Sequence, residues 1–100
     1  MDIKLIIGGE EKQFATPFIS GRMLKETIRL ASAIDTDNAD EKMIDTMVDY
    51  VVRLYGNQFT MDQMYDGIAS DVLIPCFIDS ITKVTGQLNV KMEKFKDPNV

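Results

Sequence analysis

The sequence predicts an α+β fold, mainly α, with an N-terminal β-hairpin followed by a bundle of about four helices. Strand-like alternation is confined to residues 2–16 and is interrupted by Gly8-Gly9. From Ser20 onward, apolar residues recur at spacings of three and four instead. Cap and turn residues punctuate that helical stretch at Asn38, Gly56-Asn57, Thr60 and Gly67. A chain of 100 residues supports one domain, because a second core needs roughly another 50–100 residues. We assign that domain to residues 1–89 and expect a mobile C-terminal tail over residues 90–100.

In the hairpin, Ile3, Leu5 and Ile7 share one strand face and Lys4 takes the other. Gly8-Gly9 with Glu10 forms the turn, and Lys12 to Thr16 return with Phe14 on the buried side. Two strands alone are marginal in water, so the hairpin must lie against the helices or against another chain. Pro17 disfavours helix at Thr16, and Ser20 is placed to cap a first helix from about Gly21 to Ile34. Its expected apolar stripe is Met23, Leu24, Thr27, Ile28, Ala31 and Ile34, with an Arg22–Glu26 pair on the wet side.

Asn38 with Glu41 reads as a capping box for a second helix that reaches about Tyr55. Its apolar face comprises Met43, Ile44, Met47, Val48, Val51, Val52, Leu54 and Tyr55, wide enough for more than one neighbour. Asp49 and Arg53 pair on the outside, and Gly56-Asn57 closes the helix. A short third helix begins at Phe59-Thr60, with Gln63 completing a second capping box, and stops at Gly67. The last helix starts at Ser70 or Asp71 and extends to about Gly86, with Pro75 in or just past its first turn. Leu73, Ile74, Phe77, Ile78, Ile81 and Val84 make its stripe, and Asp79 pairs with Lys83 outside.

Charge and composition remove most catalytic chemistry. The chain has 11 basic and 16 acidic residues, a net charge of −5 and a pI of about 4.5. It lacks the concentration of Lys and Arg that neutralising nucleic-acid phosphates requires. It contains no histidine, which excludes Ser/His and Cys/His nucleophile pairs, a His-ligated zinc site and a charge switch near neutrality. The single cysteine, Cys76, cannot form an internal disulfide, and beside Phe77 it reads as an inert thiol. A signal peptide needs about 7–15 apolar residues and a membrane span about 20, and neither run exists. These features predict a non-enzymatic binding protein of the cytoplasm, with no cofactor, no metal, no nucleic-acid partner and no membrane.

The acidic run from Asp35 to Asp49 invites a calcium test, which it fails. With Asp35 at loop position one, Ala39 occupies a ligand position, Asp40 the glycine position and Thr46 the bidentate glutamate position. Helix capping accounts for these carboxylates instead. Asp62 and Asp66 are four apart, yet no nucleophile, oxyanion hole or phosphate cradle accompanies them, so they read as a solvated face. Seven methionines are more telling. Met43 and Met47 stand four apart, and Met61 and Met64 three apart beside Tyr65. Flexible thioethers with aromatics suit either core packing or a surface that accepts varied apolar partners. The short third helix is the place where packing falls short, which makes Phe59, Met61, Met64 and Tyr65 the foremost candidate partner-binding residues, with Met43 and Met47 beside them.

The run Phe14-Ala15-Thr16-Pro17-Phe18-Ile19-Ser20-Gly21-Arg22-Met23-Leu24 resembles the tail assembly chaperones of long-tailed phages and prophages of Gram-positive bacteria. The later run from Tyr55-Gly56-Asn57-Gln58-Phe59-Thr60 to Ile68 is similar to the middle section of the same family. The order of hairpin, helices and loose C-terminal end fits along nearly the whole chain. The resemblance implies a protein that binds the tape measure protein, keeps it soluble, helps recruit major tail protein and is absent from the mature virion. It also implies that a longer, frameshifted form can exist. Tape measure proteins carry long apolar helical stretches, so an acidic binder would keep the complex soluble by charge repulsion. Two other readings of the chain stand beside this one. One is a permanent adaptor of the tail or head–tail connector, using the hairpin edge. The other is an acidic regulator of a basic host protein. Self-association through the wide face of the second helix is also open.

Overall fold

The chain begins with two antiparallel strands, β1 (Asp2–Ile7) and β2 (Glu10–Ala15). Four helices follow: α1 (Gly21–Ala33), α2 (Glu41–Leu54), α3 (Met61–Gly67) and α4 (Ser70–Lys96). This computed structural model describes residues 1–35 and 38–96, with side chains as far as residue 86.

The hairpin turn is shorter than expected. Gly8 (φ 61°) and Gly9 (φ 80°) alone make it, and Glu10 already pairs with Ile7. Positive φ at both central residues is the geometry that lets a two-residue turn follow the twist of its strands. Ile3 sits opposite Phe14 and Leu5 opposite Lys12, and Ile3 and Leu5 are buried as expected. The Thr16 N–H donates to the Met1 carbonyl at 2.9 Å. Alternation from that bonded pair turns the backbone polar groups of Asp2, Lys4 and Ile6 toward the outer edge of β1.

That edge is where α3 docks. A Cβ on Gly67 would lie 2.6 Å from the Ile6 carbonyl oxygen and 3.2 Å from Leu5 Cβ. Gly67 therefore does more than stop a helix, because its missing side chain lets α3 reach the strand backbone. The helical end covers Ile6 on the side where a foreign strand would otherwise pair.

Ser20 caps α1, its hydroxyl accepting from the Met23 N–H at 3.2 Å. The buried stripe is rotated from the expected one. Thr27 is fully buried and Met23, Leu30 and Ile34 pack beside it, whereas Ile28 is 43 % exposed and Ala31 faces solvent. Both edges of this stripe are apolar, and its docking against α4 selects the Leu30 edge. The Arg22–Glu26 pair does not form. Glu26 instead joins Arg53 on α2, which also bonds Asp49 at 3.0 Å.

The cap of α2 is Asp40 rather than Asn38. Its Oδ1 accepts from the Met43 N–H at 2.8 Å, and Asn38 donates to Asp35 at 2.9 Å. Asp40 stands next to the first helical residue, and its charge strengthens the bond to the helix N-terminus. α2 is the centre of the molecule, packed by α3 and α4 and burying Met47, Val48, Tyr50, Val51, Val52 and Leu54. Tyr50 was not expected inside. Its hydroxyl lies 2.5 Å from Thr27 Oγ1, and its ring meets Phe77 edge-on at 5.8 Å. The helix ends in a Schellman arrangement: Gly56 (φ 70°) donates to the Arg53 carbonyl and Asn57 to that of Val52, each at 3.0 Å.

Thr60 and Gln63 form the expected capping box of α3, with bonds of 2.9 and 3.0 Å. α4 starts at Ser70 and carries Pro75 inside, leaving the Asp71 carbonyl without its usual helical donor. Among the described residues of α4, Phe77 and Ser80 are buried, and Ile78, placed on the stripe by spacing, is 45 % exposed. Ser80 is tolerated inside because its hydroxyl donates to the Cys76 carbonyl at 2.8 Å. The helix does not end near Gly86. Its backbone continues to Lys96, through a stretch with good helix formers and no proline. The expected tail over 90–100 is thus helical to Lys96, and residues 97–100 lie outside the described residues.

Candidate interaction surface

The six residues nominated for partner binding divide into two groups. Met47 and Met64 are fully buried and Phe59 is 3 % exposed, all within the core. Phe59 precedes the α3 cap, where its ring packs at 5.0 Å from Phe14 and 5.7 Å from Tyr55. Met43, Met61 and Tyr65 are half-buried and pack against that core from outside. The Tyr65 hydroxyl donates to Asp45, tying α3 to the first turns of α2. Burial and the neighbouring Asp45 push the Tyr65 phenol up to about 12. Met43, Met61 and Tyr65 thus keep part of their surface exposed, while Met47, Phe59 and Met64 are enclosed in the core.

Chemistry is scarce on this surface. Cys76 is half-buried, and burial with Asp79 nearby pushes its thiol up, which leaves little thiolate. Asp62 and Asp66 are exposed on α3. Of the acidic run, Asp40 caps α2, Asp45 accepts from Tyr65 and Asp49 pairs with Arg53, while Asp37 lies outside the described residues. Among the described residues no group of three possible metal ligands converges. An open groove of about 260 Å³ runs between α1 and α2, lined by Glu26, Arg29, Leu30, Ala33, Tyr50 and Arg53. Its Arg53 is already engaged by two carboxylates, and the Tyr50 hydroxyl by Thr27. Burial, offset in part by that bond, pushes the Tyr50 phenol up, so it stays a neutral structural group.

Spacing alone overlooked Phe18, which is 90 % exposed. It lies in the extended link between β2 and α1, where Ile19 turns inward and packs on the core. The signal was the Pro17-Phe18-Ile19 order: one apolar residue ahead of the cap suffices to staple a helix start, and here a second is spare. Ile6 and Val72 add exposures of 51 % and 47 %. Among the described residues no helix is long and apolar enough to cross a membrane.

A family model described as phage tail chaperone protein matches residues 1–99. No curated protein and no solved structure matches the chain at a significant level. With nearly every residue inside the match, this chain belongs to the phage tail chaperone protein family.

Proposed function

We propose that this chain is a non-enzymatic tail assembly chaperone that works in the cytoplasm of the bacterial host. In this reading it binds the tape measure protein, keeps it soluble, helps recruit major tail protein and is left out of the mature virion. The observation that carries the reading is the family match over residues 1–99. The half-buried Met43, Met61 and Tyr65 form the client-facing edge of a domain spanning residues 1–89, and the buried Met47, Phe59 and Met64 support that edge from beneath.

The physical fit is direct. Thioethers adapt to apolar segments of varied shape, and weak dispersed contacts allow release without an energy source. The net charge of −5 keeps each loaded complex away from its neighbours. Co-expressed with the tape measure protein of the same phage, the chain should co-purify with that protein and be missing from purified particles by mass spectrometry. Failure to co-purify overturns the reading. Recovery of the chain in particles at fixed stoichiometry would favour a permanent adaptor instead.

A further inference from the structure

α1 and α2 face each other across the open groove of about 260 Å³, and neither helix packs closely on the other along it. α1 docks on α4, and α2 on α3 and α4. The two meet through the Thr27–Tyr50 and Glu26–Arg53 bonds. Leu30, Ala33 and the Tyr50 ring form the apolar lining between them.

Arg29 stands at the rim of this groove and continues a stripe begun by Arg22 and Lys25. All three are exposed, and none has a carboxylate at ion-pair distance among the described residues. Spacings of three and four place them within roughly 60° of one face of α1 and over roughly 10 Å of its length. Glu26, Leu30 and Ala33 occupy the adjacent arc, so the basic stripe borders the groove. α1 holds three of the chain's 11 basic residues and one of its 16 acidic ones, and that one is bonded to Arg53. In a chain of net charge −5 this is a local excess of positive charge beside an apolar slot.

We propose that this face binds an acidic amphipathic helix of another protein, with an apolar side chain of that helix in the Leu30–Ala33–Tyr50 groove and its carboxylates on Arg22, Lys25 and Arg29. Steps of three and four residues along a helix rise about 4.5 and 6 Å, so carboxylates at the same spacing on a partner helix match the stripe. Strand residues on one face step roughly 7 Å and fall out of register. A groove between two helices takes the apolar ridge of a third, and the charges at its rim fix the orientation. The chain's own helices do not supply this ligand. Asp40, Asp45, Asp49 and Asp79 are committed to the Met43 N–H, Tyr65, Arg53 and Lys83, and α3 offers only Asp62 and Asp66. A longer polyanion such as a nucleic-acid strand would run past the stripe onto the acidic remainder of the molecule. The site goes beyond the chaperone reading and uses none of the client-edge residues.

Fluorescence anisotropy with the full chain tests this. The probe is a labelled alanine-based helical peptide of about 20 residues, with Glu at i, i+3 and i+7 and Leu on the adjoining face. It should bind saturably at low salt and weaken roughly tenfold on raising salt to about 0.5 M. Lys25→Glu with Arg29→Glu should abolish that binding and create binding of the same peptide with Lys in place of Glu. Ala33→Trp, which fills the groove without changing charge, should weaken the Glu peptide roughly tenfold. Circular dichroism checks each fold, and Ala33→Gln replaces the tryptophan if that variant fails to fold. Absence of saturable binding, binding indifferent to the charge reversal, or equal binding of the Lys peptide by the wild-type chain would each overturn the proposal. So would an oligothymidylate of about 10 nucleotides that binds as tightly as the Glu peptide. Sedimentation velocity supplies the last arm: self-association that disappears in the charge-reversed variant would mean that a second copy covers the stripe, and would also overturn it.

Discussion

Phe59 and Phe18 are the same side chain at opposite ends of the burial range, 3 % and 90 % exposed, although each lies in a linker just ahead of a capped helix. The linker before α3 is met by the hairpin on one side and the end of α2 on the other, so Phe59 finds Phe14 and Tyr55. In the linker before α1, Gly56 lies against Pro17 and Ile19 takes the inward position, while Phe18 between them points to solvent. What decides the outcome is how many elements converge on the residue, a property of topology that local spacing does not carry. Apolar groups deep in the convergence hold the fold, and those outside it are available to partners.

The largest test of that contrast is the same truncation at both sites. Phe59→Ala should cost about 3–5 kcal/mol in urea denaturation, from lost burial and the cavity it leaves. Phe18→Ala should stay within about 0.5 kcal/mol of wild type. Comparable losses at both sites would mean that Phe18 is packed in solution.

Glycines sharpen the same contrast. Gly67→Ala should destabilise by about 1–3 kcal/mol or more, because the added methyl meets the Ile6 carbonyl oxygen at 2.6 Å. Gly86→Ala meets nothing within 4 Å inside α4, and should stabilise by about 0.5–1 kcal/mol. At the start of α2, Asp40→Ala should cost about 1 kcal/mol and Asn38→Ala much less, since only Asp40 satisfies a helical N–H. Thermal melts of the two variants would reveal reversed cap roles directly.

The smallest effect is alkaline. Folding raises the Tyr65 phenol from an ordinary 10.0 to about 12, through burial and its bond to Asp45, so the folded state holds that proton more tightly. In this window the unfolded chain binds fewer protons, and stability therefore falls as pH rises above 10. Tyr50 and Tyr55, both also raised by burial, act with the same sign. Tyr65→Phe should flatten this decline without abolishing it, measured by urea midpoints across the range.

Much of the architecture was legible because it is written in local chemistry. The glycine turn, the Ser20 cap, the Thr60–Gln63 box and the Gly56-Asn57 closure each satisfy nearby backbone groups. Features that depend on a distant partner were not legible. Tyr50 looks like a surface residue until Thr27 on α1 bonds its hydroxyl. Gly67 looks like a helix stop until the backbone of Ile6 is seen beside it. Of the nominated contact residues, Met43, Met61 and Tyr65 have exposed surface, whereas Phe59 and Met64 were placed on a helix judged too short to cover them. The hairpin and α2 supply that cover, an arrangement no single helix pattern encodes.

The chaperone reading is tested most directly by the soluble fraction of the tape measure protein, expressed with and without this chain. The expected result is a clear rise in soluble tape measure protein with the wild-type chain. That rise should be lost when Met61 and Tyr65 are both replaced by aspartate in a chain whose circular dichroism is unchanged. A soluble fraction that is the same in the presence and absence of the wild-type chain would contradict it.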